Sequence, residues 1–273
     1  MKVGFLGPIG SFTYTASLTA FPQADLVPVE SITDLIKAYE NMLVDYAVVP
    51  VENSIEGSVH QTVDYLFHQG NITAVAELVL PIKQQLMASG LDKDIERVYS
   101  HPQALAQSKK FLDENYPHAA LEITESTAYA ARYVAENPDD NIAAIAPSLS
   151  AETYGLDIIA NDIQEIEDNN TRFWVLGTKV PNLTLTSKEK KVSIALTLAD
   201  NQPGALYQAL KIFAERKLDL TKIESRPLKT VLGEYFFLLD FLDNGSDLSS
   251  IFSDIEANGT TVKLFGTYEV YYL

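Results

Sequence analysis

Asn169-Asn170-Thr171-Arg172-Phe173-Trp174-Val175-Leu176 joins two kinds of chemistry in one short stretch. Residues 173–176 are apolar and β-forming, the composition of a buried strand. Just ahead of them stand two amides, a hydroxyl and a guanidinium. Open α/β sheets gather ligand-binding groups at strand ends. Taken alone, the stretch favours a plainer reading, a turn at Asn169-Asn170 and a surface charge at Arg172. What surrounds it decides between the two.

Upstream, strand and helix alternate. Residues 2–6 read as a strand, Gly7-Pro8-Ile9-Gly10 as a tight loop, and Ser11-Phe12-Thr13 as the start of a helix reaching about residue 20. Such a start offers free N–H groups and hydroxyls to a carboxylate or phosphate, although an ordinary N-cap needs no ligand. It is neither a Walker A loop nor GxGxxG. Strands at 26–29 and 46–50 enclose a helix over 31–42, and this βα spacing predicts a parallel sheet. The third strand ends in Pro50-Val51-Glu52-Asn53-Ser54-Ile55-Glu56-Gly57-Ser58-Val59, rich in carboxylate, amide and hydroxyl groups; it is either a ligand loop or a loop with helix caps.

A helix follows over 59–67, then strand-like residues at 72–80, 86–88 and 98–99. Ser100-His101-Pro102-Gln103-Ala104-Leu105-Ala106-Gln107 opens a helix reaching about residue 115, with Gln103 and Gln107 on one face. A histidine beside proline fits a helix start better than a base. Strand 121–124, an Ala-rich helix capped by Ser126-Thr127, strand 141–146, helix 147–154 and strand 158–160 lead through acidic residues 162–168 to Thr171. Residues 1–180 therefore read as two α/β lobes around a polar cleft, with strand 173–176 returning to the first lobe as the seam.

Beyond a polar linker at 181–190 the pattern changes. Val192, Ile194, Leu196 and Leu198 alternate along a strand, and Asp200-Asn201-Gln202-Pro203-Gly204 turns into an amphipathic helix over 205–217. Strands at 218–224 and 234–241, a helix over 248–257 and a strand over 261–271 complete βαββαβ, the order of a ferredoxin-like domain.

Composition narrows the function. The 273 residues are 47% hydrophobic and 21% charged, as in soluble globular proteins. No run of apolar residues is long enough to span a membrane, and Met1–Gly7 is too soon broken by glycine for a signal peptide. The absence of cysteine excludes disulfides, thiolate metal sites and thiol nucleophiles. A cytoplasmic protein is expected. The net charge of −17 argues against nucleic acid and anionic membranes as partners. That charge is uneven: residues 1–185 hold 10 Lys+Arg against 25 Asp+Glu, and residues 186–273 hold 10 against 12. An anionic substrate of the first part must be held by local donors, because the long-range field repels it.

Seven short motifs are spread along the chain: Gly7-Pro8-Ile9-Gly10-Ser11-Phe12-Thr13, Pro50-Val51-Glu52-Asn53-Ser54, Ser100-His101-Pro102-Gln103-Ala104-Leu105, Ser126-Thr127-Ala128, Thr171-Arg172-Phe173, Gly204-Ala205-Leu206 and Glu224-Ser225-Arg226-Pro227. In their kind and order the chain resembles the prephenate dehydratase family along nearly its whole length. The resemblance implies a catalytic part over residues 1–182, built as two lobes like a type II periplasmic binding protein (roughly 1–78 with 160–182, and 79–159). It implies an ACT regulatory domain over 191–273. No fused chorismate mutase domain is expected ahead of the first strand. Ser108, Tyr14 and Tyr207 depart from residues common in the family and leave the shape of the effector pocket open.

The implied reaction converts prephenate to phenylpyruvate, carbon dioxide and water without metal or organic cofactor. The resemblance gives Thr171 the role of donor to the departing ring hydroxyl, with Glu52 or water relaying the proton. Arg172 is the candidate carboxylate clamp, since a guanidinium fork matches a carboxylate; pairing with Glu52 or Glu56 is its other reading. Asn53, Ser54, Ser11, Thr13, Gln107, Ser126 and Thr127 are candidate neutral donors, with Ser100 and Gln103 beside them. Phe173 either walls the ring or packs the core. L-Phenylalanine is the implied effector, at Asn201, Gly204, Ala205, Leu206, Glu224, Ser225 and Arg226 across an interface of a homodimer or homotetramer. Arogenate dehydratase and a non-catalytic binder with an amino-acid sensor are the alternatives.

Overall fold

The computed structural model describes residues 1–198, 203–230, 233–257 and 259–273. It is a mixed α/β chain with two sheets. Its contacts separate into two compact units, one of residues 1–62, 78–173 and 273, the other of residues 63–77 and 174–272.

The first unit runs β1 (Lys2–Leu6), α1 (Phe12–Ala20), β2 (Asp25–Val29), α2 (Ile32–Glu40), β3 (Tyr46–Asn53), β4 (Gly57–Ser58) and the start of α3 (His60–His68). After β5 (Thr73–Pro81) it continues with β6 (Gln85–Ala88), β7 (Arg97–Ser100), α4 (Pro102–Gln107), α5 (Lys109–Asn115), β8 (Ala120–Ile123), α6 (Thr127–Glu136), β9 (Ile142–Ala146), α7 (Ser148–Tyr154), β10 (Asp157–Ala160) and the first residues of β11 (Asn170–Gly177). β1 pairs in parallel with β2 and β3, as the βα spacing predicts. Val3, Phe5, Ala47, Val48 and Val49 are wholly buried there, as are Leu35 and Ile36 of α2. The second sheet has the order β10-β6-β9-β7-β8. Its β7, β8 and β9 are parallel, while β6 and β10 run antiparallel to their neighbours.

Two local features depart from the sequence reading. β3 folds back through a tight turn onto β4, with Glu52 opposite Ser58 and Asn53 opposite Gly57. The helix expected from residue 102 to 115 is broken at Ser108, whose φ of −110° and ψ of 9° leave the helical region. An outside carboxylate takes over there: Glu165 Oε1 accepts from Lys110 N at 2.9 Å and starts α5 afresh.

The second unit contains β12 (Ser187–Thr197), α8 (Ala205–Glu215), β13 (Leu220–Pro227), β14 (Tyr235–Leu242), α9 (Leu248–Glu256) and β15 (Thr261–Tyr272). Its antiparallel strands lie in the order β13-β14-β12-β15. Val192, Ile194 and Leu196 bury one face of β12 against Ala209, Ile212 and Phe213 of α8 and Ile251 and Ile255 of α9. β12 begins well before Val192, so the end of the expected linker is strand. Hydrophobic period is missing there because ion pairs take its place: Lys190 meets Asp243 at 2.9 Å, and Lys191 meets Glu189 at 3.1 Å and the buried Glu77 at 3.4 Å.

Residues 63–77 belong to this unit for visible reasons. The Phe67 ring stacks on Phe236 with centroids 3.8 Å apart. Lys263 Nζ donates to the carbonyls of Leu66, Phe67 and Gly70 at 2.7–2.9 Å, placing a cation at the C-terminal end of α3. Asp64 accepts from Arg226 and Lys229, at 3.1 and 2.8 Å. Burial alone would raise the Asp64 pKa, but the hydrogen bonds and charges of Lys229 and Arg226 outweigh it and hold the carboxyl below the usual range. A depressed carboxylate stabilises the fold above the unfolded value of about 4, and that contribution fades as pH falls through the folded value. Asp64→Asn should therefore lower the thermal midpoint at pH 7, with the gap to wild type narrowing by about pH 3. A gap that is the same at both pH values would show that the ion pairs contribute nothing.

Candidate active site

A cavity of about 400 Å³ lies within the first unit. Three helices begin on its wall: α1 contributes Phe12 and Thr13, α4 contributes Gln103 and Ala104, and α6 contributes Thr127. The sequence builds each start with a capping residue. Ser11 Oγ accepts from Tyr14 N at 3.2 Å, and Ser126 Oγ accepts from Tyr129 N at 3.1 Å. His101 Nδ1 accepts from Gln103 N at 3.3 Å, so the ring acts as a helix start. Each cap satisfies one of the orphan N–H groups of a first turn and leaves others for a ligand. The partial positive ends of α1 and α6 therefore face the same space.

The glycine loop is fastened to α7. Ser150 Oγ donates to Gly10 O and Tyr154 Oη to Ile9 O, both at 2.7 Å. Burial pushes the Tyr154 phenol up, which keeps the donated proton in place. Gly10 sits at φ +87°, and a side chain there would press on Ser150 Oγ at 3.0 Å, so glycine is required.

The strand mouth at Thr171 is held by amides. Asn53 Oδ1 accepts from the backbone N–H of Ile55 and Glu56, at 3.0 and 3.1 Å, which fixes how its amide faces. Asn53 Nδ2 then donates to Asn169 Oδ1 at 2.7 Å and to Thr171 Oγ1 at 3.0 Å. Because the Thr171 oxygen accepts that bond, its own proton is left for another partner. Thr171 and Phe173 both line the cavity, and Arg172 between them does not, as strand alternation requires. Arg172 Nη1 instead pairs with Glu52 Oε2 at 2.5 Å.

Of the residues singled out in the sequence, Ser11, Thr13, Asn53, Gln103, Gln107, Ser126, Thr127, Thr171 and Phe173 share the cavity wall. Glu52 and Arg172 hold one another beside it. Ser54 stands outside the wall, its Oγ donating to Asp168 O at 3.2 Å. Ser100 is wholly buried and donates to Ile145 O at 2.6 Å, which ties β7 to β9. In the second unit Gly204 begins α8 at φ +90°, with Ala205 and Leu206 following in its first turn. Glu224, Ser225 and Arg226 lie on β13; Glu224 is 3.5 Å from Lys222, and Arg226 grips Asp64. Asn201 lies outside the described residues.

His101, Glu56 and Glu125 also line the cavity and are not among the sequence candidates; no lysine or arginine among the described residues does so. Asn169, 1% exposed, reads in the sequence as a turn residue, and nothing in its neighbours distinguishes a buried amide from a turn.

The family model for prephenate dehydratase matches residues 3–181. The chain is 48% identical to prephenate dehydratase of Lactococcus lactis subsp. lactis, covering 100% of this chain and 99% of that protein. It is 40% identical to prephenate dehydratase of Bacillus subtilis, over the full length of both. Among solved structures, prephenate dehydratase from Arthrobacter aurescens in complex with L-Phe matches with a TM-score of 0.87 at 30% identity, covering 98% of this chain and 90% of that one. With a family model that matches most of the chain and relatives that match its full length, this chain belongs to the prephenate dehydratase family.

Proposed function

We propose that the cavity holds prephenate and converts it to phenylpyruvate, carbon dioxide and water. The observation that carries this reading is a threonine hydroxyl, its oxygen already accepting from Asn53, on a cavity wall where helices begin. Prephenate is a dianion, and with no lysine or arginine among the described residues of the wall it is held by helix N-termini and neutral donors. These act at short range, which suits a chain whose net charge of −17 repels anions at a distance. The cavity volume falls in the usual range for small-molecule sites.

In the reaction the bond from ring carbon to carboxylate breaks, its electrons enter the ring, and the hydroxyl opposite departs. Aromatisation supplies the drive. Thr171 donates a hydrogen bond to the departing oxygen, and the proton that completes water comes from solvent, since a threonine hydroxyl is too weak an acid to surrender its own. Arg172 and Glu52 organise the strand mouth as a pair. Phe173, 1% exposed, gives the ring an apolar wall. Purified protein given prephenate should release phenylpyruvate and carbon dioxide one to one. Saturable binding without product would make the chain a binder.

We further infer that residues 1–182 are the catalytic part, with two lobes of periplasmic-binding-protein type, and that residues 191–273 are an ACT domain responding to L-phenylalanine. The βαββαβ order and the L-Phe complex of the Arthrobacter relative support this. A dimer or tetramer through the second unit is part of the reading, supported by β13, the last strand of its sheet with Ile223 49% exposed. Glu224→Ala and Arg226→Ala should each weaken inhibition by L-phenylalanine several-fold while changing uninhibited turnover less. Unchanged inhibition in both variants would remove the effector site from β13.

A further inference from the structure

We infer that Asn169 is a positioning residue that carries the orientation of Asn53, fixed by the backbone N–H groups of Ile55 and Glu56, across to the cavity amide of Gln107. The inference rests on the reading of the cavity as a prephenate dehydratase site. Asn169 is buried, and its side chain makes a bond at each end. Its Oδ1 accepts from Asn53 Nδ2 at 2.7 Å and from Ser54 Oγ at 3.4 Å. Its Nδ2 donates to Gln107 Oε1 at 3.2 Å. Its backbone carbonyl is held separately by Ile82 N at 2.8 Å, so the side chain is not needed to fasten the strand there.

The consequence is one of donor and acceptor logic. An amide can face two ways, and Asn169 permits only one for Gln107: oxygen toward Asn169, nitrogen away. Gln107 lines the cavity, and its Nε2 is buried with no hydrogen-bond partner among the described residues. A buried donor without an acceptor is costly, and a bound carboxylate or hydroxyl oxygen of the substrate would supply one. On the other side, Asn169 Oδ1 is the nearest acceptor of Asn53 Nδ2, at 2.7 Å, with Thr171 Oγ1 at 3.0 Å and Asn170 O at 3.4 Å. One buried side chain thus makes Gln107 a donor toward substrate.

Asn169→Asp tests this with almost no change of shape. The carboxylate still accepts from Asn53 but cannot donate, so Gln107 must turn to donate to it and presents an oxygen to the cavity. At pH 8 kcat/KM for prephenate should fall about 10–100-fold, the size of one hydrogen bond to a charged group. A buried carboxyl has a raised pKa, the Arg172 guanidinium nearby being paired with Glu52, and once protonated it again accepts at one oxygen and donates at the other, as asparagine does. The activity of the variant relative to wild type should therefore recover on going from pH 8 toward pH 5.5. Glu52, Arg172, Glu56, His101, Asp168 and Glu165, on the elements packed around it, are present in both proteins and cancel in that ratio. A merely structural role would lower the melting temperature without this recovery. Activity equal to wild type at pH 8, or a loss that does not respond to pH in a folded variant, would overturn the inference. Should the buried carboxylate prevent folding, Asn169→Ser combined with Gln107→Leu decides: the double variant should be no worse than the poorer single variant, and additive losses would contradict the coupling. If wild type itself makes no phenylpyruvate, the reading of the site fails; if wild type does and Asn169→Asp behaves like it, only the inference on Asn169 fails.

Discussion

Thr171→Val should reduce kcat for prephenate by about 10²–10⁴-fold, with KM changed far less. Valine keeps the volume and branching that β11 accommodates and removes only the hydroxyl, so the strand and its mouth should persist. What is lost is a donor to an oxygen that becomes a better acceptor as the ring hydroxyl departs, an interaction stronger in the transition state than in the ground state. Such a loss appears in kcat rather than KM. The variant also takes from Asn53 its acceptor at Thr171 and leaves the longer one at Asn170 O, 3.4 Å away, which costs at most about 1–3 kcal/mol of stability. A modest fall in melting temperature therefore accompanies the loss of turnover and does not explain it. Near-normal turnover in a folded variant would take Thr171 out of the mechanism.

Gly266→Ala should have the largest effect on stability. Gly266 lies on β15 opposite Ser193, where the pairing with β12 shifts register. A Cβ placed there would sit 2.3 Å from the carbonyl oxygen of Ala74 and 3.1 Å from its carbonyl carbon. The obstacle is backbone, so no rotamer change relieves it, and the strand segment at 73–77 must move away. Overpacking of this kind costs about 1–3 kcal/mol when side chains can yield, and a backbone clash belongs at or above the top of that range. For a chain of this size, about 3 kcal/mol corresponds to a fall of roughly 6–12 °C in melting temperature. A melting curve that overlays wild type would show that β15 tolerates a side chain at this point.

Much of the fold was legible because the βα alternation and the switch to a two-residue period after residue 191 are local signals. Strands at Lys2–Leu6, Ile142–Ala146 and Thr261–Tyr272 carry enough apolar residues to declare themselves. The start of β12 did not, because Lys190 and Lys191 are held by Asp243, Glu189 and Glu77, which are distant or charged and invisible to hydrophobic period. The break at Ser108 depends on Glu165, more than fifty residues away. At the cavity the helix-start residues were readable as caps, whereas the direction of Arg172 was not given by the sequence, which favoured a carboxylate clamp over the pairing with Glu52 that the fold makes. The orientation of amides was beyond reach: Asn169, Gln107 and Asn53 are brought together only by folding, and one hydrogen bond decides what each presents.

The most direct test is a crystal structure of Thr171→Val with prephenate bound, since the variant that cannot turn over should hold its substrate. The ring hydroxyl should lie against the substituted side chain at position 171, the carboxylates should meet the first turns of α1 and α6, and the Arg172–Glu52 pair should remain closed. A ring hydroxyl directed away from position 171, with a carboxylate held by Arg172 after release of Glu52, would contradict the account.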